Sequence, residues 1–411
     1  MKTANDTFAS HGITRREGLL TLLGGAMALA GCGGGGGGGV ATVGGGGTGS
    51  FSSGPITGFG SIIVNGIRFN DSAASILDDD GADMRGKLKL GMLATVKGSP
   101  VSGTSATATS VVVGSELKGR IEGTPNSAQK TFVVLGQTVQ VTGSTVFDES
   151  LPNGFGSLAT DTIVEVHGIL DPAANTLQAT FIEKENAPAL FRIQGLASQH
   201  DATAKRFNIG SIRIDYSNAT DVRIVPNNGA LVRVRLTAVL PPAAIPAVWF
   251  ATRIRPPEEV LEDRDEAEVE GAITAFTSTS QFSVNGLAVD ASGASFPDGT
   301  AGIALGARVE VKGSLRNGVL VATRVKIEDR NEVDNLEFEL HGTVSNKTAT
   351  AFTLTSTGGI VVNVNFTSAV AFVNGTAASL VNGAKVEVKG TASDSSTSST
   401  GINATRISFE S

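Results

Sequence analysis

The sequence predicts an all-β protein built from five tandem copies of one small five-stranded barrel, placed behind a secretion signal and a glycine-rich tether. Composition is the first observation: Val, Ile, Thr, Gly and Ser dominate and Leu-rich helical stretches are scarce, which suits short strands and tight turns. The second is a set of four short markers that recurs five times in one order. The third is the opening stretch, which reads as an address and a spacer. At 411 residues the chain would hold roughly two to four domains of ordinary size, so five repeats must each be small. Apolar residues make up 40% of the chain, enough for packed cores.

Residues 1–32 carry the signal. A polar start with Arg15-Arg16 leads into an apolar run, Leu19 to Ala30, followed by Gly31-Cys32. A run of ~12 residues suits a signal-peptide core and is too short to span a bilayer. Leu29-Ala30-Gly31-Cys32 has the form of a lipobox, so Cys32 is expected to be diacylated and to become the new N-terminus. Thr14-Arg15-Arg16-Glu17-Gly18-Leu19-Leu20 resembles a twin-arginine export signal. Gly18 stands where Phe is usual and Leu20 where Lys is usual, so the general secretory route stays open beside it.

The tether, residues 33–53, holds seven glycines, Val40-Ala41-Thr42-Val43 and four more glycines. Such a stretch cannot bury enough surface to order itself, and ~20 residues of it reach on the order of 25 Å. No Lys-Ser/Thr pair follows the glycines, which sets aside a phosphate-cradling loop. Cys32 is the one cysteine, so no intrachain disulfide can form. Gly33 is not the Asp that often retains lipoproteins at the inner membrane. The expected place is therefore the cell envelope: lipid-anchored, in the outer membrane, facing the periplasm or the cell surface.

The repeats are read from their punctuation. Each opens on Gly, any residue, then an apolar residue: Gly54-Pro55-Ile56, Gly119-Arg120-Ile121, Gly195-Leu196-Ala197, Gly271-Ala272-Ile273 and Gly342-Thr343-Val344. An alternating pair follows: Ile62 and Val64, Phe132 and Val134, Phe207 and Ile209, Phe282 and Val284, Phe352 and Leu354. In repeats one and four it runs into Asn65-Gly66 and Asn285-Gly286, a strong two-residue hairpin signal. The third marker is a strand between two glycines: Gly91 to Gly98, Gly306 to Gly313 and Gly383 to Gly390. Repeat two keeps Gly168 but has Asp161 at the first position, and repeat three keeps Gly229 but ends on Leu236. The last marker is Ala-Thr, any residue, then Val or Ile, at Ala108, Ala179, Ala251, Ala322 and Ala404.

These markers divide the chain into repeats at 54–115, 116–186, 190–256, 268–329 and 337–411, with an acidic linker at 257–267. With one further alternating segment, such as Gln137 to Val141, each repeat has five strands. A five-stranded meander with glycine bends closes most naturally into a barrel of the OB type, with two packed sheets as the alternative. Acidic linkers are expected to be solvated and to repel one another, which favours an extended string of barrels.

On these markers the repeats resemble an uncharacterised domain family, a domain of unknown function found in tandem in exported bacterial lipoproteins. The resemblance spans about 54–411 and is weakest in repeat three. It implies an OB-like fold and brings no activity, ligand or catalytic residue.

Function classes are narrowed by what the charges and rings can do. The leader carries +1 of a net charge of −7, which leaves −8 in the mature chain. Phosphate contacts need a basic face, and stacking platforms need exposed aromatics. With one Trp (Trp249) and one Tyr (Tyr216), nucleic acid is not an expected partner. His167, His200 and His341 fall in different repeats, away from metal-ligand spacing, and no hydrolase, zincin or Walker motif is present. His167, where Lys97, Lys312 and Lys389 stand in other repeats, is expected on an exposed strand face. Asp78, Asp79, Asp80 and Asp83 around Gly81 are the one candidate metal site, for Ca²⁺, weighed against a solvated acidic loop. The expected function is therefore non-enzymatic: a structural or protein-interaction module tied to the membrane through its N-terminal lipid. The alternative is a periplasmic binding protein for a small ligand or divalent cation.

Overall fold

Alternation decides each strand, and repeat one shows how. In Leu93–Gly98 the side chains of Ala94 and Val96 turn inward while Thr95 and Lys97 face out. The computed structural model describes residues 49–238, 247–257, 262–328, 336–393 and 401–410. Cys32, Arg15 and Arg16 lie outside the described residues. Repeat one contains β1 (Ser50–Phe59), β2 (Ile62–Val64), β3 (Ile67–Asn70), β4 (Ser75–Asp78), β5 (Leu93–Gly98) and β6 (Ser105–Val113). Ser50 to Ser53, expected in the tether, already belong to β1.

The pairing closes on itself. β1 runs antiparallel to β2, and β2 to β3. β3 and β4 lie parallel to successive parts of β6, β6 is antiparallel to β5, and β5 returns to β1. The same circuit recurs in repeat two, repeat three, repeat four and repeat five. It is not the meander expected, and it has six strands where five were expected, because the four-residue β3 and β4 together cover the nine-residue β6. In repeat four the fourth strand shrinks to a single bridge, Ser295 to Arg324.

The markers prove to be the corner of this ring. The turn before the fifth strand needs a positive φ, which Gly91, Gly229, Gly306 and Gly383 supply and which Asp161 adopts at 65° in repeat two. The fifth strand then bulges at Lys97/Gly98, His167/Gly168, Arg235/Leu236, Lys312/Gly313 and Lys389/Gly390. At Gly313 an added Cβ would lie 2.1 Å from the Val321 carbonyl oxygen, and at Gly390 2.3 Å from that of Asn403. Opposite each bulge sits the alanine of the Ala-Thr marker. The threonine hydroxyl donates to the carbonyl just before the bulge glycine in repeats one, four and five: Thr109 to Lys97, Thr323 to Lys312, Thr405 to Lys389.

The repeats are not an extended string. Gly46–Ser411 form one compact unit. β1 pairs in parallel with Arg264–Ser278 of repeat four and with Phe338–Ser345 of repeat five. The opening strands of repeats two and three, Leu117–Asn126 and Leu190–Asp201, pair with each other. One core joins repeats one and five, a second joins two and three, and a third fills repeat four with Phe51 of repeat one. Acidic residues near the expected linker find partners instead of repelling: Glu266 accepts the Val101 N–H at 2.6 Å, and Asp265 pairs with Arg316 at 2.6 Å. The expected linker also overlaps a strand, since residues from Arg264 on are paired.

If the bulge glycine is required for closure, Gly313→Ala lowers stability by about 2–3 kcal/mol through overpacking against backbone. Urea unfolding is the measurement. Gly318→Ala, at a turn where an added Cβ has no atom within 4 Å, is the comparison for strain of φ alone.

Candidate functional site

Period-two alternation places a row of guanidinium groups on one outer face of repeat three. In Leu231–Thr237, Val232, Val234 and Leu236 enter the core, so Arg233 and Arg235 point the other way. Arg253 and Arg255 follow in Val248–Arg255, and Arg192 comes from the opening strand. The acidic turn of repeat one docks here. Asp79 Oδ1 accepts from Arg192 Nη2 at 2.8 Å and from Arg235 Nη2 at 3.2 Å. Asp80 pairs with Arg235 and accepts from Arg253 Nη1 at 2.8 Å. Burial pushes the Asp80 carboxyl up, but Arg235 and Arg192 outweigh it and hold the group below the usual carboxylate range.

The carboxylates of the turn expected to hold calcium have partners within the protein. Asp78, Asp79 and Asp80 do cluster, but Asp78 Oδ1 accepts the N–H groups of Asp80 and Ala82, and Asp83 Oδ1 that of Arg85. Two carboxylates thus shape the turn and two hold arginines of another repeat. A cation would have to displace guanidinium groups that already neutralise them.

Beneath this layer lie side chains that the sequence did not single out. Glu116, 4% exposed, takes the Gly168 N–H on Oε2 at 3.0 Å and has Arg233 Nη2 3.5 Å from Oε1. Burial pushes its carboxyl up to about 7, against the pull of Arg233 and Arg192. Glu165 goes the other way: burial raises it, but Lys118, His167 and Arg192 together bring it down to about 2. Lys118 also donates to Glu185 at 2.7 Å, and Arg192 Nη1 to Ser115 Oγ at 2.7 Å.

His167 is buried, contrary to expectation, because β5 of repeat one covers it. Its Nδ1 accepts the Leu93 N–H at 3.3 Å, and its ring tilts on Phe181 at 5.8 Å. Burial drives it down to about 4, so the ring is neutral at pH 7. The other histidines bond elsewhere: His200 Nε2 to Tyr216 Oη at 2.7 Å, and His341 Nδ1 to Glu410 at 2.5 Å. Among the described residues none of the three is hydrogen-bonded to a serine or cysteine. Beside the junction lies a cavity of about 300 Å³ to which Glu116 and Arg233 contribute.

The signal that could have revealed this junction is the doubled spacing Arg233-Val234-Arg235 and Arg253-Ile254-Arg255. Glu116 and His167 gave no such signal: Glu116 is a single residue just before Leu117–Asn126, and His167 stands inside Ile163–Asp171 at a position held by lysine in other repeats.

A pH series tests the buried glutamate. The folded state holds the Glu116 proton up to about pH 7, whereas an unfolded glutamate releases it near ~4.3. Its contribution to stability is fully present below the lower value and is lost as pH rises through the higher one. The neighbouring Glu165 carboxylate, brought down to about 2, stays ionised over that range. Glu116→Gln should therefore be more stable than the native protein at pH 8, by about 2–3 kcal/mol, and the gap should close towards pH 5. A gap that does not change with pH would refute the assignment. His167 works oppositely, contributing above its ordinary value and losing that contribution as pH falls through about 4.

No curated protein matches the chain. Residues 53–112, 118–183, 270–326 and 341–407 match a domain of unknown function, DUF5666. Repeat three lies outside those stretches although its strands form the same ring. With well over half of its residues in four tandem matches, this chain belongs to the DUF5666 family of domains of unknown function.

Proposed function

We propose that this chain is an exported, lipid-anchored and non-enzymatic protein of the cell envelope, whose five OB-like barrels form a structural or protein-interaction module. The observation that carries the reading is Leu29-Ala30-Gly31-Cys32 at the end of the apolar run from Leu19. Acylation at Cys32 would fix the chain to a membrane leaflet, and the glycines after it would hold the first barrel clear of the headgroups. The OB-like assignment is supported by strand order: a ring in which the third strand lies parallel to the last, and the fifth returns to the first. A non-enzymatic role is supported by the junction chemistry, where the buried carboxylates and arginines are bonded mainly to one another. Gly33 after the cysteine favours the outer membrane.

Protease treatment of intact cells, with Cys32→Ala as the comparison, tests the anchor and the side it faces. The native chain should fractionate with membranes and the variant should be soluble. Cleavage of native repeats in intact cells places them on the surface, and protection until the outer membrane is opened places them in the periplasm. A Cys32→Ala protein that still fractionates with membranes would refute the lipid anchor.

A further inference from the structure

Lys97 differs from its counterparts in other repeats in what surrounds it. At this position of the repeat Lys312 and Lys389 are each held by glutamates: Lys312 by Glu268 at 3.0 Å and Glu310 at 2.9 Å, Lys389 by Glu339 at 3.1 Å and Glu387 at 3.9 Å. Strand register identifies what replaces those glutamates in repeat one. Glu268 and Glu339 face their lysines across the opening and fifth strands, and Phe51 faces Lys97 in the same way. Two residues before the lysine, Glu310 and Glu387 give way to Thr95. Both carboxylates are gone. Among the described residues, the Lys97 ammonium has no ion-pair partner, and Lys97 lines the cavity of about 300 Å³.

The cavity has a second cation with capacity to spare. Arg233 donates from Nε to Gln194 at 3.1 Å, but its two carboxylate contacts are long, 3.6 Å to Asp79 and 3.5 Å to Glu116. Tight charge-assisted bonds run nearer ~2.8 Å. The other charged groups on the wall are already committed: Asp78 to the N–H groups of Asp80 and Ala82, Asp79 to Arg192 and Arg235, Glu116 to the Gly168 N–H, and Arg255 to Asp221. Leu93, Leu170, Pro256 and Pro257 add an apolar side. The volume is at the lower end of ligand pockets, which span roughly 300–1,000 Å³.

We propose that this cavity, enclosed by residues of repeats one to four, binds a small organic anion, a carboxylate with a short aliphatic tail. Lys97 and Arg233 take the carboxylate, and the leucine and proline wall takes the tail. The ligand carboxylate supplies to Lys97 what Glu268 and Glu339 supply to its counterparts.

Calorimetry and thermal shift on the whole protein test this with acetate, butyrate, hexanoate and octanoate, against hexylamine as a tail of opposite charge. Saturable binding of at least one carboxylate, with a rise in melting temperature and no response to hexylamine, is the expected result. Lys97→Met should weaken that binding about tenfold or more. Thr95→Glu rebuilds the internal partner found in repeats four and five, so it should abolish binding while leaving the fold intact, as judged by its circular dichroism. Absence of binding across the carboxylate series, equal binding of hexylamine, or native affinity in both variants overturns the proposal. None of these outcomes bears on the lipid anchor, which the cell fractionation tests separately.

Discussion

In four of the five repeats the ring depends on one close approach: a bulged fifth strand, stripped of its side chain at one residue, lets the sixth strand's carbonyl come within a Cβ's reach. A ring of so few strands must turn sharply, and a bulge supplies local twist and bend where a regular ladder would run straight. The geometry then dictates letters on both sides. Glycine is needed on the fifth strand because a Cβ would meet backbone oxygen, 2.6 Å away at Gly98 and 2.3 Å at Gly168. A small residue is needed opposite, and alanine stands there in every repeat. The next residue, threonine, returns a hydrogen bond to the carbonyl that the bulge displaces. The recurring words of the sequence are the chemical description of that corner.

That is why the repeat and its strands were legible while the assembly was not. Closure is a local matter within about 70 residues, and local sterics leave a periodic trace. The outer faces leave none: a strand alternating apolar and charged residues reads the same whether its charged side meets water or another barrel. His167 shows the difficulty, since it stands in a lysine position yet is covered by β5. For Asp79 and Asp80, spacing in the chain shows only neighbours and not the arginines they meet. Their partners, Arg192, Arg235 and Arg253, lie 113, 156 and 173 residues away. The acidic segment after repeat three misled in the same way, as Asp265 and Glu266 answer to Arg316 and to a backbone N–H of repeat one.

Buried ion networks of this kind are weak evidence of added stability, because desolvating each charge offsets much of the attraction. Their better-supported effect is on which surfaces can meet. A wrong docking of repeats one and three would leave Arg235 without a carboxylate and Arg192 with only Glu165 at 3.7 Å, each arginine being about nine-tenths buried, and an uncompensated buried charge is costly. Glu116 fits this picture. Its carboxyl is not fully neutralised by Arg233 at 3.5 Å, and it responds by holding its proton up to about pH 7.

Repeat three shows how far the frame and the outer face depend on each other. It has Leu236 where the other repeats have the bulge glycine, yet the bulge persists, with Leu236 paired to Ala251. The leucine side chain is fully buried in the core that repeats two and three share, so the docked neighbour gives it somewhere to go. The residue before it, Arg235, is fixed from outside by Asp79 and Asp80 of repeat one. The corner that glycine permits in a self-contained ring is here held by contacts with two other repeats. A repeat supported in that way can lose the family's most constrained letter and keep its ring, so the third unit matches the others in strand pairing while departing from them at the bulge glycine.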